Sequence, residues 1–100
     1  MTLALKGRFS TPVDKTSVER QWRERGFSCD GFANPPGREW SDFVHACNER
    51  VTVVEGRLEM RVGEQLYVLE PGDEILIPAG TAHSVKNVHS GTTRWLYGYD

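Results

Sequence analysis

The run from Gly72 to Asn87, Gly-Asp-Glu-Ile-Leu-Ile-Pro-Ala-Gly-Thr-Ala-His-Ser-Val-Lys-Asn, constrains the fold more tightly than any other part of the chain. Pro71-Gly72 joins a preset φ to a glycine and predicts a turn. Ile75 and Ile77 alternate on a short strand that must stop at Pro78, because proline has no N–H to give a ladder. Ala79-Gly80 turns the chain again. From Ala82 to Asn87 a second strand puts His83 and Val85 on one face, the inner one if Val85 marks the core. The segment therefore delivers an imidazole to the core side of a sheet, just beyond a rigid corner.

The rest of the chain carries the same grammar. Leu58, Met60 and Val62 alternate with Glu59 and Arg61, a period of two that predicts a half-buried antiparallel strand. Gly63-Glu64 makes a hairpin turn into a strand over Leu66 to Leu69. Other strands are expected over Phe27, Cys29 and Phe32 (closed by Asn34-Pro35-Pro36-Gly37), over Glu39 to Ala46 with Trp40, Phe43 and His45, over Arg50 to Glu55, and over Arg94 to Tyr99. Asn87 to Thr92 is a polar turn. About eight short strands punctuated by turns predict a sandwich or barrel.

The N-terminal part differs. Leu3 to Phe9 predicts an edge strand ended by Thr11-Pro12, and Asp14 to Arg25 a short helix. Thr16 and Glu19 have capping-box spacing, and Gly26 sits where a helix-ending glycine belongs. Val18 and Trp22 form a narrow apolar face, with Glu19–Arg23 and Arg20–Glu24 as exposed pairs one turn apart. The competing reading of this stretch is an extended segment of alternating charge.

One hundred residues make one domain with a small core. A net charge of -2 and no basic stripe exclude a nucleic-acid partner. The apolar runs are too short to span a membrane. Met1 to Phe9 holds Lys6 and Arg8 but no apolar signal core, so a cytoplasmic protein is expected. Cys29 and Cys47 lack CxxC spacing, and their number excludes a thiolate zinc site. A disulfide between them stays open, with two reduced thiols expected in the cytoplasm.

Gly72, Pro78, Gly80, His83 and Asn87 match the pattern G(X)5PXG(X)2H(X)3N, and the segment resembles the second signature of the cupin superfamily. The first cupin signature, G(X)5HXH(X)3-4E(X)6G, falls on Gly37, His45, Glu49 and Gly56, with Phe43 at the first histidine position. The resemblance implies an all-β jelly-roll barrel, or double-stranded β-helix, with one short N-terminal helix. Residues 1–36 would form a strand, helix and strand extension, and 37–99 the conserved barrel of a single domain 1–100.

The resemblance also places His45, Glu49 and His83 inside the barrel on adjacent strands. Two imidazoles and a carboxylate suit a divalent transition metal such as Fe, Mn, Ni or Zn. The alternative is a hydrogen-bonded polar cluster in a barrel without metal, every member of which would need a partner. Phe43, Val53, Met60 and Ile77 are the expected pocket lining, favouring a small, partly apolar ligand. The implied activity is a metal-dependent oxygenase or isomerase, against a non-catalytic small-molecule-binding or sensor domain. A homodimer is expected, with the strand bearing Trp95, Tyr97 and Tyr99 supplying core and interface area along with Trp40. Cys47 is read as a turn residue, His89 as a solvated loop histidine, Asp73 as a turn residue and Glu74 as solvated. No phosphate loop, nucleophile elbow or HExxH helix is present.

Overall fold

Alternating burial along the strands sorts the chain into two antiparallel sheets that face each other across one core. The computed structural model describes residues 3–100, apart from the side chains of Asp42 and Phe43. In chain order the elements are β1 (Ala4–Leu5), α1 (Lys15–Glu24), β2 (Asp30–Asn34), β3 (Glu39–Phe43), β4 (Glu49–Glu55), β5 (Leu58–Val62), β6 (Gln65–Leu69), β7 (Glu74–Ile77), β8 (His83–Asn87) and β9 (Thr93–Tyr99). The larger sheet runs β1-β7-β4-β9-β2 and the smaller β3-β8-β5-β6. This is the expected jelly-roll barrel with one short helix.

Val51, Val53, Leu58, Met60, Val62, Leu69, Ile75, Ile77 and Val85 fill the space between the sheets. The helix lies outside this barrel. Its Val18 and Trp22 join Phe9, Phe27, Cys29 and Leu96 in a second cluster on the outer face of the larger sheet. Burying each of those two helical side chains contributes roughly 1.5–3 kcal/mol, enough to hold a helix too short to stand alone.

The helix ends are satisfied locally. Asp14, rather than Thr16, caps the N-terminus: it accepts from the Thr16 N–H at 3.1 Å and the Ser17 hydroxyl at 3.0 Å. At the other end Gly26 takes a positive φ of 82°. Its N–H donates to the Arg23 carbonyl and the Phe27 N–H to that of Trp22, a Schellman closure sealed by Phe27 and Trp22 in one cluster.

Several boundaries differ from expectation. The first strand is only the pair Ala4–Leu5, on the edge of the larger sheet. Phe27 and Cys29 precede β2 and are buried under the helix. Strand β3 ends at Phe43, so His45 lies in the loop before β4 and not on a strand. A register shift between Trp40 and Phe43 breaks the pairing with β8, and the Gly80 N–H then holds the loop by the His45 carbonyl at 2.8 Å.

Glu74 is also corrected: it is 1% exposed, not solvated. Strand parity turns Ile75 and Ile77 inward and sends Glu74 to the sheet face that the helix covers. There the Trp22 indole donates to Oε1 at 2.7 Å and Arg50 Nη1 to Oε2 at 3.0 Å. Asp73 is a turn residue, accepting from the Glu70 and Gly7 N–H groups and from Lys6. Both cysteines are free thiols, Cys29 buried and Cys47 exposed. Among the described residues no helix is long and apolar enough to cross a membrane.

Candidate metal centre

Each of the three candidate ligands reaches one end of the barrel by a different route. Glu49 opens β4 and points inward with Val51 and Val53 by strand alternation. His83 opens β8 and points inward with Val85. His45 depends on its loop, which is stapled on two sides. Asn48 accepts from the Ala79 N–H at 2.8 Å, while its own N–H and side-chain amide donate to the Asp100 carboxylate at 2.9 and 2.7 Å. With the bond from Gly80, the corner Pro78-Ala79-Gly80 therefore both ends β7 and fixes where His45 sits. Asn48 and Asp100 carried no signal in the sequence, because their roles exist only once the corner and the final strand meet.

The signature asparagine is structural. Asn87 is 1% exposed; its amide nitrogen reaches the carbonyls of Asn34, Pro35 and Gly91 at 2.8–3.0 Å, and its oxygen accepts from the His89 N–H and the Thr93 hydroxyl. Gly56 has a φ of 99°, and a Cβ there would run into Thr93. His89 is exposed in its turn.

Glu49, His45 and His83 converge. The Glu49 Oε1 atom stands 3.4 Å from His83 Nε2 and 3.7 Å from His45 Nε2. Glu49 and His83 are buried and His45 half-buried, and one donor atom from each lies within 4.8 Å of the others. Yet Oε1 is fully buried and makes no hydrogen bond among the described residues. Two donors on one ion, each at about 2.1 Å and subtending a right to tetrahedral angle, stand about 3.0–3.4 Å apart. The two separations from Glu49 reach or exceed that by tenths of an ångström, and all three donors lie within 4.8 Å of one another, so a contraction of the three side chains would close the site on a divalent ion. The donor set fits.

Hydrogen bonding orients the ligands. His83 Nδ1 lies 3.1 Å from the Thr81 carbonyl. A carbonyl only accepts, so the proton belongs on Nδ1 and Nε2 is the nitrogen turned to Glu49, the arrangement that aims a histidine at a metal. Burial alone would push this imidazole down, but the Glu49 carboxylate and the Thr81 carbonyl carry it above the ordinary histidine value. Burial, and then the charge of Glu49, push the Tyr99 phenol up to about 12, so it stays a proton donor.

Beside the donors lies a cavity of about 250 Å³. Of the expected lining, Met60 is on its wall; Val53 and Ile77 are packed in the core and are not among its walls. The side chain of Phe43 lies outside the described residues. Val51, Val85, Phe32, Trp40, Trp95, Tyr97 and Tyr99 complete the wall. The aromatic residues read from sequence as core and interface area are thus cavity lining. The register explains it: Glu49 pairs with Tyr99, Val51 with Tyr97 and Val53 with Trp95, which puts all three rings on the inner face. Alternation in Trp95-Leu96-Tyr97-Gly98-Tyr99 was the available signal.

A family profile described as the cupin domain matches residues 32–99. The chain belongs to the cupin family. A search of curated proteins finds no match. Solved structures are similar over most of this cupin. A protein from Thermus thermophilus is 28% identical, with a TM-score of 0.66, over 73% of this chain and 71% of that one. A conserved protein of unknown function from Streptococcus pyogenes is 22% identical, with a TM-score of 0.67, over 73% of this chain. A cupin 2 domain-containing protein from Halorhodospira halophila is 23% identical, with a TM-score of 0.69, over 74% of this chain. This cupin spans 62% of the Streptococcus protein's length and 52% of the Halorhodospira protein's, and these last two likenesses speak to the fold alone.

Proposed function

We propose that this cupin binds one divalent transition metal ion through His45 Nε2, Glu49 Oε1 and His83 Nε2, beside a cavity that takes a small organic ligand. One observation carries the reading: a buried carboxylate oxygen with no hydrogen bond among the described residues faces two imidazole nitrogens. A buried carboxylate oxygen without a hydrogen bond is costly, and an ion at that point would remove the cost.

An ion of the Fe, Mn, Ni or Zn class supplies Lewis acidity and, where it is redox-active, electrons; the reaction is then an oxygenation or an isomerisation. The chain's own contribution is positional. Glu49 supplies the negative charge, and Thr81 and the Gly80 N–H orient His83 and the His45 loop. Tyr99, with its ring centroid 5.1 Å from that of His45, offers a phenolic proton at the edge of the site. The apolar walls limit water around the ligand.

The test is metal analysis of protein purified without a histidine tag, beside His83→Ala. Near-stoichiometric metal in the parent and little in the variant supports the proposal. No metal in either, with no rise in thermal stability on adding Fe(II), Mn(II) or Zn(II), leaves a non-catalytic binding barrel, since a bound ion must stabilise by mass action.

A further inference from the structure

We infer that the organic half of this site takes a planar aromatic molecule of one or two fused rings. The inference rests on reading the cavity as the ligand's half of the proposed site.

Its walls are unequal. The larger sheet presents an unbroken chain of rings: Phe32 to Trp95 at 5.4 Å between centroids and 64°, Trp95 to Tyr97 at 5.7 Å, Tyr97 to Tyr99 at 6.0 Å. The smaller sheet faces it with Met60, Val85 and Trp40. Trp40 closes the row edge-on to Phe32 at 6.0 Å and 72°. Steeply inclined neighbours offer a flat guest both ring faces and ring edges, the two contacts a second aromatic quadrupole favours. Met60 adds a polarizable sulfur on the other side.

Size agrees. An apolar cavity of about 150 Å³ accommodates benzene. The volume here, about 250 Å³, has room for a second fused ring or a ring with a substituent.

Charge narrows the guest further. Aromatic boxes also hold ammonium groups. Here a divalent ion beside the single carboxylate of Glu49 would leave the cavity net positive, which disfavours a cation. Arg38, with its guanidinium carbon 4.1 Å from the Trp40 ring centroid, already supplies that ring with one.

The experiment titrates two uncharged guests, 2-naphthalenemethanol and its saturated counterpart decahydronaphthalene-2-methanol, into the full chain held metal-free in EDTA, and follows calorimetry and the indole N–H resonances. The aromatic alcohol should bind tighter by roughly tenfold, the margin aromatic contacts give beyond area. Its addition should shift the Trp95 indole N–H and spare that of Trp22. Trp95→Leu should weaken the aromatic alcohol roughly three- to tenfold and the saturated one less, because a ring contact is lost. Equal binding of the two alcohols, binding of neither, or an unmoved Trp95 resonance overturns the inference. If Trp95→Leu does not fold, the wild-type resonance shift decides alone. Because these titrations contain no metal, their failure is distinct from a failure of the metal analysis.

Discussion

Glu49 and Glu74 stand on neighbouring strands of one sheet, and both are buried. They face opposite sides of it. Glu74 points to the outer face, where the helix brings Trp22 and the adjacent strand brings Arg50; both oxygens are bonded, at 2.7 and 3.0 Å. Arg50 is itself stacked on Phe27, 4.6 Å from the ring centroid. Glu49 points inward, and its Oε1 has no hydrogen bond among the described residues. A buried carboxylate with all its partners ties elements together. The buried oxygen of Glu49 instead faces two imidazole nitrogens, at 3.4 and 3.7 Å, at the wall of a cavity.

Substitutions at the two positions should separate these roles. Glu49→Gln is expected to lower Zn(II) affinity by more than about a hundredfold, beyond the ten- to hundredfold of outer-sphere losses. At a pH where both histidines are neutral its urea midpoint should be unchanged or higher, because a buried charge is removed. Calorimetry and denaturation test this, and retained affinity would erase the distinction. Glu74→Ala should do the reverse, costing about 3 kcal/mol by stranding Arg50 and the Trp22 indole, with Zn(II) affinity per folded molecule preserved. A Glu74 variant that folds normally yet loses metal would put both glutamates in one functional network.

A smaller effect sharpens the inner site. Phe43 stands opposite His83 in the register, and Phe43→His is expected to raise Zn(II) affinity by about tenfold through a third imidazole. Unchanged affinity would mean that the loop does not present this position to the ion.

The smallest effect concerns a third carboxylate, Asp73, which resembles Glu74 in being fully partnered. Burial alone would raise its pKa, but Lys6 and the N–H groups of Glu70 and Gly7 overcome this and hold it below the ordinary value. A lowered native pKa stabilises the fold at pH values above the unfolded pKa and loses that contribution as pH falls through the native one. Asp73→Asn should therefore cost about 1 kcal/mol at neutral pH, with the gap to wild type closing in acid. A gap that persists at low pH would show that packing, not charge, is what Asp73 contributes.

Much of this was legible locally. Pro71-Gly72, Ala79-Gly80 and the alternation around Met60 set turns and strands through backbone sterics and the two-residue pleat, which neighbours along the chain are enough to express. The inward direction of His83 followed from Val85 by the same parity. The three candidate ligands were named from spacing and resemblance. The aromatic wall was missed, although the alternation through Trp95, Tyr97 and Tyr99 was present, because parity says which residues share a face and not which face borders a void.

The fate of Glu74 shows the remaining gap. Its sequence neighbours, a Pro-Gly turn and an aspartate, are those of a surface residue; its burial comes from Trp22, which arrives from a helix in another part of the chain. Likewise nothing near Glu49 in sequence says that its oxygen will lack a donor. The chain alone determined periodicity, turn positions and which side chains point together, since these are covalent and short-range properties. Only the folded molecule decided which carboxylate meets hydrogen-bond donors and which faces two imidazoles, because that depends on distances between groups that loops and packing bring together.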